Sequence, residues 1–123
     1  MENCIFCNIV AGKLPSYKIY EDEKYLAILD IFANCEGHTL VIPKEHIEWV
    51  WDVPGLGEYF EVVGKIARHH REIAGEPVRS MIFGWQIPHA HIHIKPGKEN
   101  TFDGVSMLSQ KQLELIQKKY CLT

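Results

Sequence analysis

The sequence P-H-A-H-I-H-I-K at residues 88–95 alternates histidines with apolar residues and contains three of the chain's seven histidines. In a β-strand, alternate side chains leave by the same face, with their Cα atoms about 6–7 Å apart. The pattern therefore predicts a strand over 89–94 with His89, His91 and His93 on one face. The small and branched residues between them are predicted to face the core.

A row of three histidines has three interpretations. It can be a solvated polar face of an edge strand, although lysine, threonine or glutamate would serve that purpose as well. It can be a metal chelate, because neutral imidazole is a common ligand of zinc. It can also be a catalytic site in which an imidazole acts as a nucleophile or proton carrier near neutral pH.

The remaining elements predict an α+β fold. Apolar side chains at helical spacing predict a long helix over 58–74 that ends at Gly75, with Phe60, Val63, Ile66, Ala67 and Ile73 on its apolar face. A short helix over 3–12, a tail helix capped by Ser109, and strands over 16–21, 25–30, 38–43 and 78–83 complete the prediction. Short turns between consecutive strands favour an antiparallel sheet with helices on one face over a doubly wound parallel sheet.

Length and composition limit the class of protein. A chain of 123 residues fits one domain, 1–123, whose hydrophobic core needs no disulfide. No apolar run approaches the roughly 18 residues that a membrane span needs, and the N-terminal residues lack the features of a signal peptide. We therefore expect a cytoplasmic protein with reduced cysteines and no membrane partner. The net charge of −3 argues against a nucleic-acid partner.

The cysteine pair Cys4-x-x-Cys7 has the spacing of half a zinc site. A tetrahedral site needs two more ligands, which must come from elsewhere in the chain. A redox pair would be expected at the start of a helix after a buried strand, and a disulfide would need an oxidising compartment. His69 and His70 lie within the long helix, where a solvated or interface position is the simplest interpretation.

Together these motifs resemble the histidine triad family of nucleotide hydrolases and transferases, whose signature is His-x-His-x-His followed by two further residues. The likeness covers most of the chain: it includes C-I-F-C-N-I-V-A-G-K-L-P at 4–15, L-D-I at 29–31 and G-H-T-L-V-I-P-K-E-H at 37–46. The resemblance implies a histidine-triad-like fold in which the antiparallel sheet continues across a homodimer. The long helix is then expected to contribute to the dimer interface.

The resemblance also implies a role for each matching position. His91, the middle histidine, would attack the α-phosphorus of a nucleotide and form a nucleotidyl-histidine intermediate that water resolves. A neutral imidazole can do so if its other ring nitrogen donates to a fixed acceptor. His93 would stabilise developing charge and His38 would lie beside the phosphate. Phe6 and Ile9 match positions that contact the base, whereas Asp30 and Ile31 match positions around the ribose.

The resemblance to zinc-bearing members implies a ligand set of Cys4, Cys7, His46 and His89. Two thiolates and two imidazoles form a chemically suitable tetrahedral set, which supplies the missing ligands of the cysteine pair. This zinc would be structural, with no open coordination position. It would tie the N-terminal segment to the histidine strand and leave His91 free of metal.

One segment departs from the family pattern. Many members carry Gly-Gln-x-Val-x-His before the triad, but residues 83–89 read F-G-W-Q-I-P-H, which places Trp85 at the position of the glutamine. In a strand, Gln86 could replace that glutamine only if a bulge intervened, because a shift of one residue reverses the face. Trp85 could stack on an unusual substrate or lie in the core or in an interface. Lys95 occupies a final triad position that is often apolar.

The sequence thus predicts a zinc-containing homodimer that hydrolyses a purine nucleoside phosphoramidate or a dinucleoside polyphosphate through His91, with Gln86 near the phosphate. An alternative is a nucleotide-binding module or scaffold that turns over poorly because the glutamine is replaced. A nucleotidyltransferase is a third possibility, in which a group other than water attacks the intermediate.

Overall fold

The computed structural model describes residues 3–122, so residues 1, 2 and 123 of the predicted 1–123 domain lie outside the described residues. In chain order the elements are α1 (Ile5–Val10), β1 (Lys18–Glu21), β2 (Tyr25–Leu29), β3 (Thr39–Pro43), a 3-10 turn (Val50–Asp52), α2 (Leu56–Ala74), β4 (Val78–Met81), β5 (Ile92–Pro96) and α3 (Gln110–Tyr120). None of the helices within 3–122 is long and apolar enough to cross a membrane.

The strands within 3–122 form one antiparallel sheet in the order β1-β2-β3-β5-β4. The predicted α+β class with an antiparallel sheet is therefore confirmed. Strand β5 lies between β3 and β4, with Val41 opposite Ile92 and Ser80 opposite Ile94. The histidine-bearing strand β5 is therefore hydrogen-bonded along both of its edges, whereas β4 is an outer strand.

Both faces of the sheet are covered. Helices α2 and α3 pack on one face, against a core that includes Val41, Ile92 and Ile94. Helix α1 packs on the opposite face, where Phe6 and Ile9 meet the side chains of Leu26, Ile28, Leu40 and Ile42. The prediction that all helices lie on one face is thus wrong for α1. Every residue of β2 and β3 is buried because each strand contacts a layer on either side.

The histidine strand begins later than the sequence predicts. Strand β5 starts at Ile92 rather than at position 89, because the amide of Ala90 donates to the Ile47 carbonyl and the amide of His89 donates to the Ile87 carbonyl. These hydrogen bonds take the place of the bonds that would pair residues 89 and 90 with a neighbouring strand. Strand β4 likewise ends at Met81, before the predicted limit of 83.

Helix α2 buries a stripe that differs in part from the predicted one. It begins at Leu56, and its buried residues are Tyr59, Val63, Ile66 and His70. Phe60 and Ile73, which were predicted to be on the apolar face, are exposed. The predicted C-terminal stop is confirmed, because Gly75 adopts φ 67°, a left-handed conformation that glycine reaches without strain. The Ser109 cap of α3 is also confirmed.

The solvated interpretation of His70 is wrong, because its side chain is completely buried between α2 and the sheet. The Thr39 hydroxyl donates to the Gly37 carbonyl, so the same oxygen accepts a hydrogen bond from His70 Nε2–H at 2.9 Å. The neutral ring therefore carries its proton on Nε2. Burial lowers the pKa of His70 to about 4.

We expect His70 to make the free energy of unfolding depend on pH. Between pH 6.5 and about 4 an unfolded histidine binds a proton but buried His70 does not, so stability falls as the pH decreases. Urea unfolding of His70→Gln should show a fall in stability from pH 7 to pH 5 that is about 2 kcal/mol smaller than in the native protein. His69→Gln, a partly exposed neighbour, is the matched control. An unchanged fall in His70→Gln would contradict this expectation.

Candidate functional site

A cavity of about 660 Å³ is lined by residues of α1, of the segment after β2 and of β5. Its walls include every residue that the sequence predicts to contact the nucleotide or the reacting phosphate, namely Phe6, Ile9, Asp30, Ile31, His38, Gln86, His91 and His93. Helix α1 contributes an apolar wall. The histidines are His93 in β5 together with His91 and His38, which immediately precede β5 and β3. A cavity of this size, apolar with a few convergent polar groups, is suited to a small organic ligand.

His91 is held in one tautomer by the backbone. Its Nδ1 lies 2.8 Å from the carbonyl oxygen of His89, and a carbonyl can only accept, so Nδ1 carries the proton. In the neutral form of the ring, the lone pair is then on Nε2. The edge of the Phe6 ring contacts the imidazole, with ring centroids 5.5 Å apart, which further restricts the ring orientation. A buried imidazole whose tautomer is fixed in this way is chemically equipped to act as a nucleophile.

His38 and His93 form a directed hydrogen-bond chain. The amide of Asn34 donates to His38 Nδ1 at 3.0 Å, so the proton of His38 is on Nε2, which lies 2.9 Å from His93 Nδ1. His93 must then carry its own proton on Nε2, which has no hydrogen-bond partner among the described residues. Burial lowers the pKa of His38 to about 3 and that of His93 to about 4. Both rings are therefore neutral at physiological pH, and His93 offers a buried, unused N–H donor.

Asp30 lies at the end of β2, where the amide of Phe32 donates to its Oδ1 at 2.9 Å. Its other oxygen is 3.6 Å from His38 Nε2. Burial raises the pKa of Asp30, while the Phe32 amide and the nearby Lys95 ammonium oppose that effect. The carboxylate is thus fixed through one oxygen and has acceptor capacity left for ligand hydroxyl groups.

The four predicted metal ligands converge on one cluster, which does not include His91. The ligand atoms of Cys4, Cys7, His46 and His89 all lie within 4.8 Å of one another. Cys4 Sγ is 3.2 Å from His89 Nδ1, and Cys7 Sγ is 3.2 Å from His46 Nδ1. The chain thus brings together two cysteines at one end and two histidines that are 39 or more positions away.

The chemistry of this cluster suits a zinc ion. His89 Nε2 lies 2.7 Å from the Pro43 carbonyl, so Nε2 donates and the lone pair of Nδ1 faces the thiol groups. The Cys7 amide donates to Cys4 Sγ at 3.3 Å, the type of contact that stabilises a thiolate. The donor set is therefore compatible with tetrahedral zinc. His91 lies outside it.

The structure separates Trp85 from Gln86. Residues 82–91 form no strand, so the one-residue offset does not determine which side each residue faces. Gln86 lines the large cavity, and the predicted need for a β-bulge does not arise because this segment is not a strand. Trp85 is 76% exposed, which excludes a place in the core of the described chain, and it lines a second, smaller cavity.

Lys95 and Phe83 are among the residues of the large cavity that the sequence did not predict. Lys95 lies on the same face of β5 as His93 and is only 6% exposed, although the sequence marked it only as a departure from the family pattern. The two-residue period of the strand was sufficient to find it. Phe83 also lines the cavity, with its ring centroid 4.9 Å from that of His93. No periodicity signals Phe83, because it lies in the irregular segment.

The fold and the histidine cavity together define a class of protein. A family model described as the HIT domain matches residues 11–100. The chain belongs to the HIT, or histidine triad, family.

Particular relatives support this assignment. The chain is 46% identical over 115 residues to "Protein hit" of Bacillus subtilis, covering 85% of this chain and 79% of that protein. It is 30% identical over 100 residues to the adenosine 5'-monophosphoramidase HNT1 of Saccharomyces cerevisiae, covering 78% of this chain and 63% of that protein.

Solved structures with the same fold include a hypothetical histidine triad nucleotide-binding protein of Sulfolobus tokodaii. That structure has a TM-score of 0.86 and 32% identity, with 95% of this chain and 89% of that chain covered. A zinc-bound histidine triad family protein of Mycobacterium smegmatis has a TM-score of 0.73 and 28% identity, with 97% and 94% covered.

Proposed function

We propose that this protein hydrolyses the bond at the α-phosphate of a purine nucleoside phosphoramidate or a dinucleoside polyphosphate, with His91 as the nucleophile. The observation that carries the proposal is the hydrogen bond from His91 Nδ1 to the His89 carbonyl, which places the lone pair of the neutral ring on Nε2 in a side chain that lines the cavity. The adenosine monophosphoramidase activity named for the yeast relative supports the same reaction class.

For a phosphoramidate, the reaction has two displacements. His91 Nε2 forms a bond to the α-phosphorus, the phosphorus–nitrogen bond breaks, and the departing amine takes a proton. Water then attacks the phosphorus, the bond to His91 breaks, and the nucleoside monophosphate leaves while the water gives up a proton. The second step thus restores the proton used in the first, and one water is consumed. Throughout, Nδ1–H of His91 remains bonded to the His89 carbonyl, which stabilises the positive charge on the modified ring.

His93 and His38 are proposed to stabilise the charge that develops on phosphate oxygens. The unused Nε2–H of His93 is a donor that needs no rearrangement. The Asn34 amide fixes the tautomer of His38, and the hydrogen bond from His38 fixes that of His93. Preorganised donors of this kind contribute most where water is excluded. Gln86, at the cavity wall, is proposed to contact the phosphate.

The proposal is tested by incubating the protein with adenosine 5'-phosphoramidate and, separately, with diadenosine polyphosphates, and by measuring AMP release. We also expect a nucleotidyl-protein adduct when the reaction is quenched during turnover with a labelled substrate. The adduct should map to the peptide containing residues 89–95. Release of AMP without any adduct, even on rapid quenching, would argue against the covalent mechanism.

Asp30 is proposed to bind the ribose hydroxyls, with Ile31, Phe6 and Ile9 enclosing the sugar and base. We expect Asp30→Asn to weaken AMP binding about tenfold, because a charged acceptor to a hydroxyl is worth about 1.5–3 kcal/mol, of which the amide retains part. Calorimetric titration with AMP and with its 2',3'-dideoxy analogue is the measurement. The analogue should bind both proteins equally. A loss of affinity for the analogue in Asp30→Asn would contradict a ribose contact.

We propose a structural zinc ion held by Cys4, Cys7, His46 and His89. When bound, zinc supplies a cross-link between α1 and the segment before β5, and all four donor positions come from the protein. His89 links the proposed metal site to the nucleophile, because its ring lies in the metal cluster and its carbonyl accepts the hydrogen bond from His91. The ion thereby fixes the backbone that orients the nucleophile.

We further propose a cytoplasmic homodimer. Strand β4 pairs only with β5 among the described strands, so its outer edge has backbone groups that a second copy can pair, continuing the sheet. Within residues 3–122 no disulfide joins the cysteines, which is compatible with a reducing compartment. Sedimentation analysis should give twice the monomer mass of 14.2 kDa.

A second candidate function is a nucleotide-binding module with weak turnover. The observation in its favour is the replacement of the usual glutamine by Trp85, whose side chain does not line the large cavity. This candidate predicts AMP binding with little release of product from any amidate. The incubation described above separates it from the hydrolase.

A further inference from the structure

A second cavity, of about 240 Å³, lies beside the nucleotide cavity and shares His91 and Phe83 with it. The tryptophans of the chain, Trp49, Trp51 and Trp85, all line this second cavity. They are 42%, 64% and 76% exposed, respectively. Exposed indole rings that surround one small cavity are unusual, since large apolar side chains on a surface commonly mark a binding site.

Local contacts restrict two of these rings. A Cβ atom at Gly84 would lie 2.6 Å from the Trp49 ring, so only glycine lets that ring lie against the backbone here. The Phe83 ring lies between Trp85 and His93, with centroid distances of 5.2 Å and 4.9 Å. Phe83 therefore contacts both the buried His93 ring and the exposed Trp85 ring.

Resting on the proposed hydrolysis at His91, we propose that this second cavity binds the leaving group of the substrate and selects an amine that carries a planar aromatic ring. His91 is a wall of both cavities, so a group in the second cavity is close to the phosphorus that His91 attacks. An aromatic ring joined to the phosphoramidate nitrogen by a short linker can reach the indole rings. Stacking between aromatic rings then provides affinity and selectivity.

This assignment also accounts for the replaced glutamine. A polar side chain at position 85 would suit a polar leaving group, whereas Trp85 offers an apolar face on that side of the reacting phosphate. Trp85 is accordingly a residue that determines specificity for the leaving group, and Trp49 and Trp51 complete its surface.

The test compares two adenosine 5'-phosphoramidates that differ only in the planarity of the ring, those of 2-phenylethylamine and 2-cyclohexylethylamine. The ratio of their kcat/KM values is measured within each protein, so that general losses of activity cancel. We expect a ratio of about ten in the native protein, in line with the free energy of aromatic stacking. Trp85→Leu should lower the ratio to about two or less and Trp85→Phe should retain most of it. Phe60→Leu, an exposed aromatic residue outside the cavity, is the matched control.

Binding of the same two amidates to His91→Ala, measured by calorimetry, separates this inference from the proposed reaction. If His91→Ala binds the phenyl compound preferentially but the native protein turns neither compound over, the result would support the leaving-group site and would disprove the proposed hydrolysis. A native ratio near one, or a ratio that Trp85→Leu leaves unchanged, would overturn the inference. Loss of the dimer in Trp85→Leu with an unchanged ratio would also overturn it, and would assign the tryptophans to an interface between copies.

Discussion

Replacing His91 by alanine is expected to lower kcat for adenosine 5'-phosphoramidate by about 10⁴-fold to 10⁶-fold, the range seen when a covalent nucleophile is removed. The physical reason is that no other described group at the cavity combines a free imidazole lone pair with a fixed tautomer. His93 accepts at Nδ1 from His38 and carries its proton on Nε2, and His38 is occupied at both ring nitrogens by Asn34 and His93. Neither can substitute for Nε2 of His91.

The measurement is AMP release at saturating substrate, with affinity for AMP measured in parallel. His91→Ala should still bind AMP within a few-fold of the native protein, because most of the cavity wall is unchanged. His69→Ala, which removes a histidine of α2 outside the cavity, is the control for general effects. Turnover by His91→Ala within tenfold of the native rate would exclude His91 as the nucleophile.

Removing one cysteine of the metal cluster should have the second large effect. We expect Cys7→Ser to reduce bound zinc from about one equivalent to less than about a tenth, because a serine hydroxyl is a poor zinc ligand. Metal binding is coupled to folding, with apparent free energies of about 10–16 kcal/mol in small zinc domains. Even partial loss of that energy should lower Tm by at least about 10 °C.

Metal content is measured by elemental analysis of protein purified without chelator, and Tm by calorimetry. Cys121→Ser changes a cysteine outside the cluster and should retain both the metal and the Tm. Addition of a strong chelator to the native protein should reproduce the effect of Cys7→Ser, since both remove the same cross-link. A native protein with less than about a tenth of an equivalent of zinc would argue strongly against the zinc site.

The alternation at residues 88–95 was sufficient to predict which side chains share a face. Ile92 and Ile94 are in the core, while His91 and His93 line the cavity, as the two-residue period requires. The same pattern did not predict where the strand begins. Its first residue depends on the amide of Ala90 bonding to Ile47, a residue 43 positions earlier, which no local pattern encodes.

Helix α2 shows the same limit for helical periodicity. The predicted helix exists, but the stripe it buries runs through Tyr59 and His70 and leaves Phe60 and Ile73 exposed. The Tyr59 hydroxyl donates to the Val41 carbonyl at 2.6 Å, and His70 donates to Thr39. Polar atoms with partners in the sheet thus allow these two residues to be buried, and hydrophobicity by itself does not reveal such partners.

The sequence by itself determined the residue types of the site and their spacing, and through these the α+β class and the family resemblance. Only the tertiary structure decided which nitrogen of His38, His89, His91 and His93 carries the proton, and that Trp85 and Gln86 line separate cavities. The physical reason is that a tautomer depends on the acceptor placed beside the ring. The acceptors of His89 and the donors to His38 come from loops and neighbouring strands, whose positions depend on the packing of the whole chain.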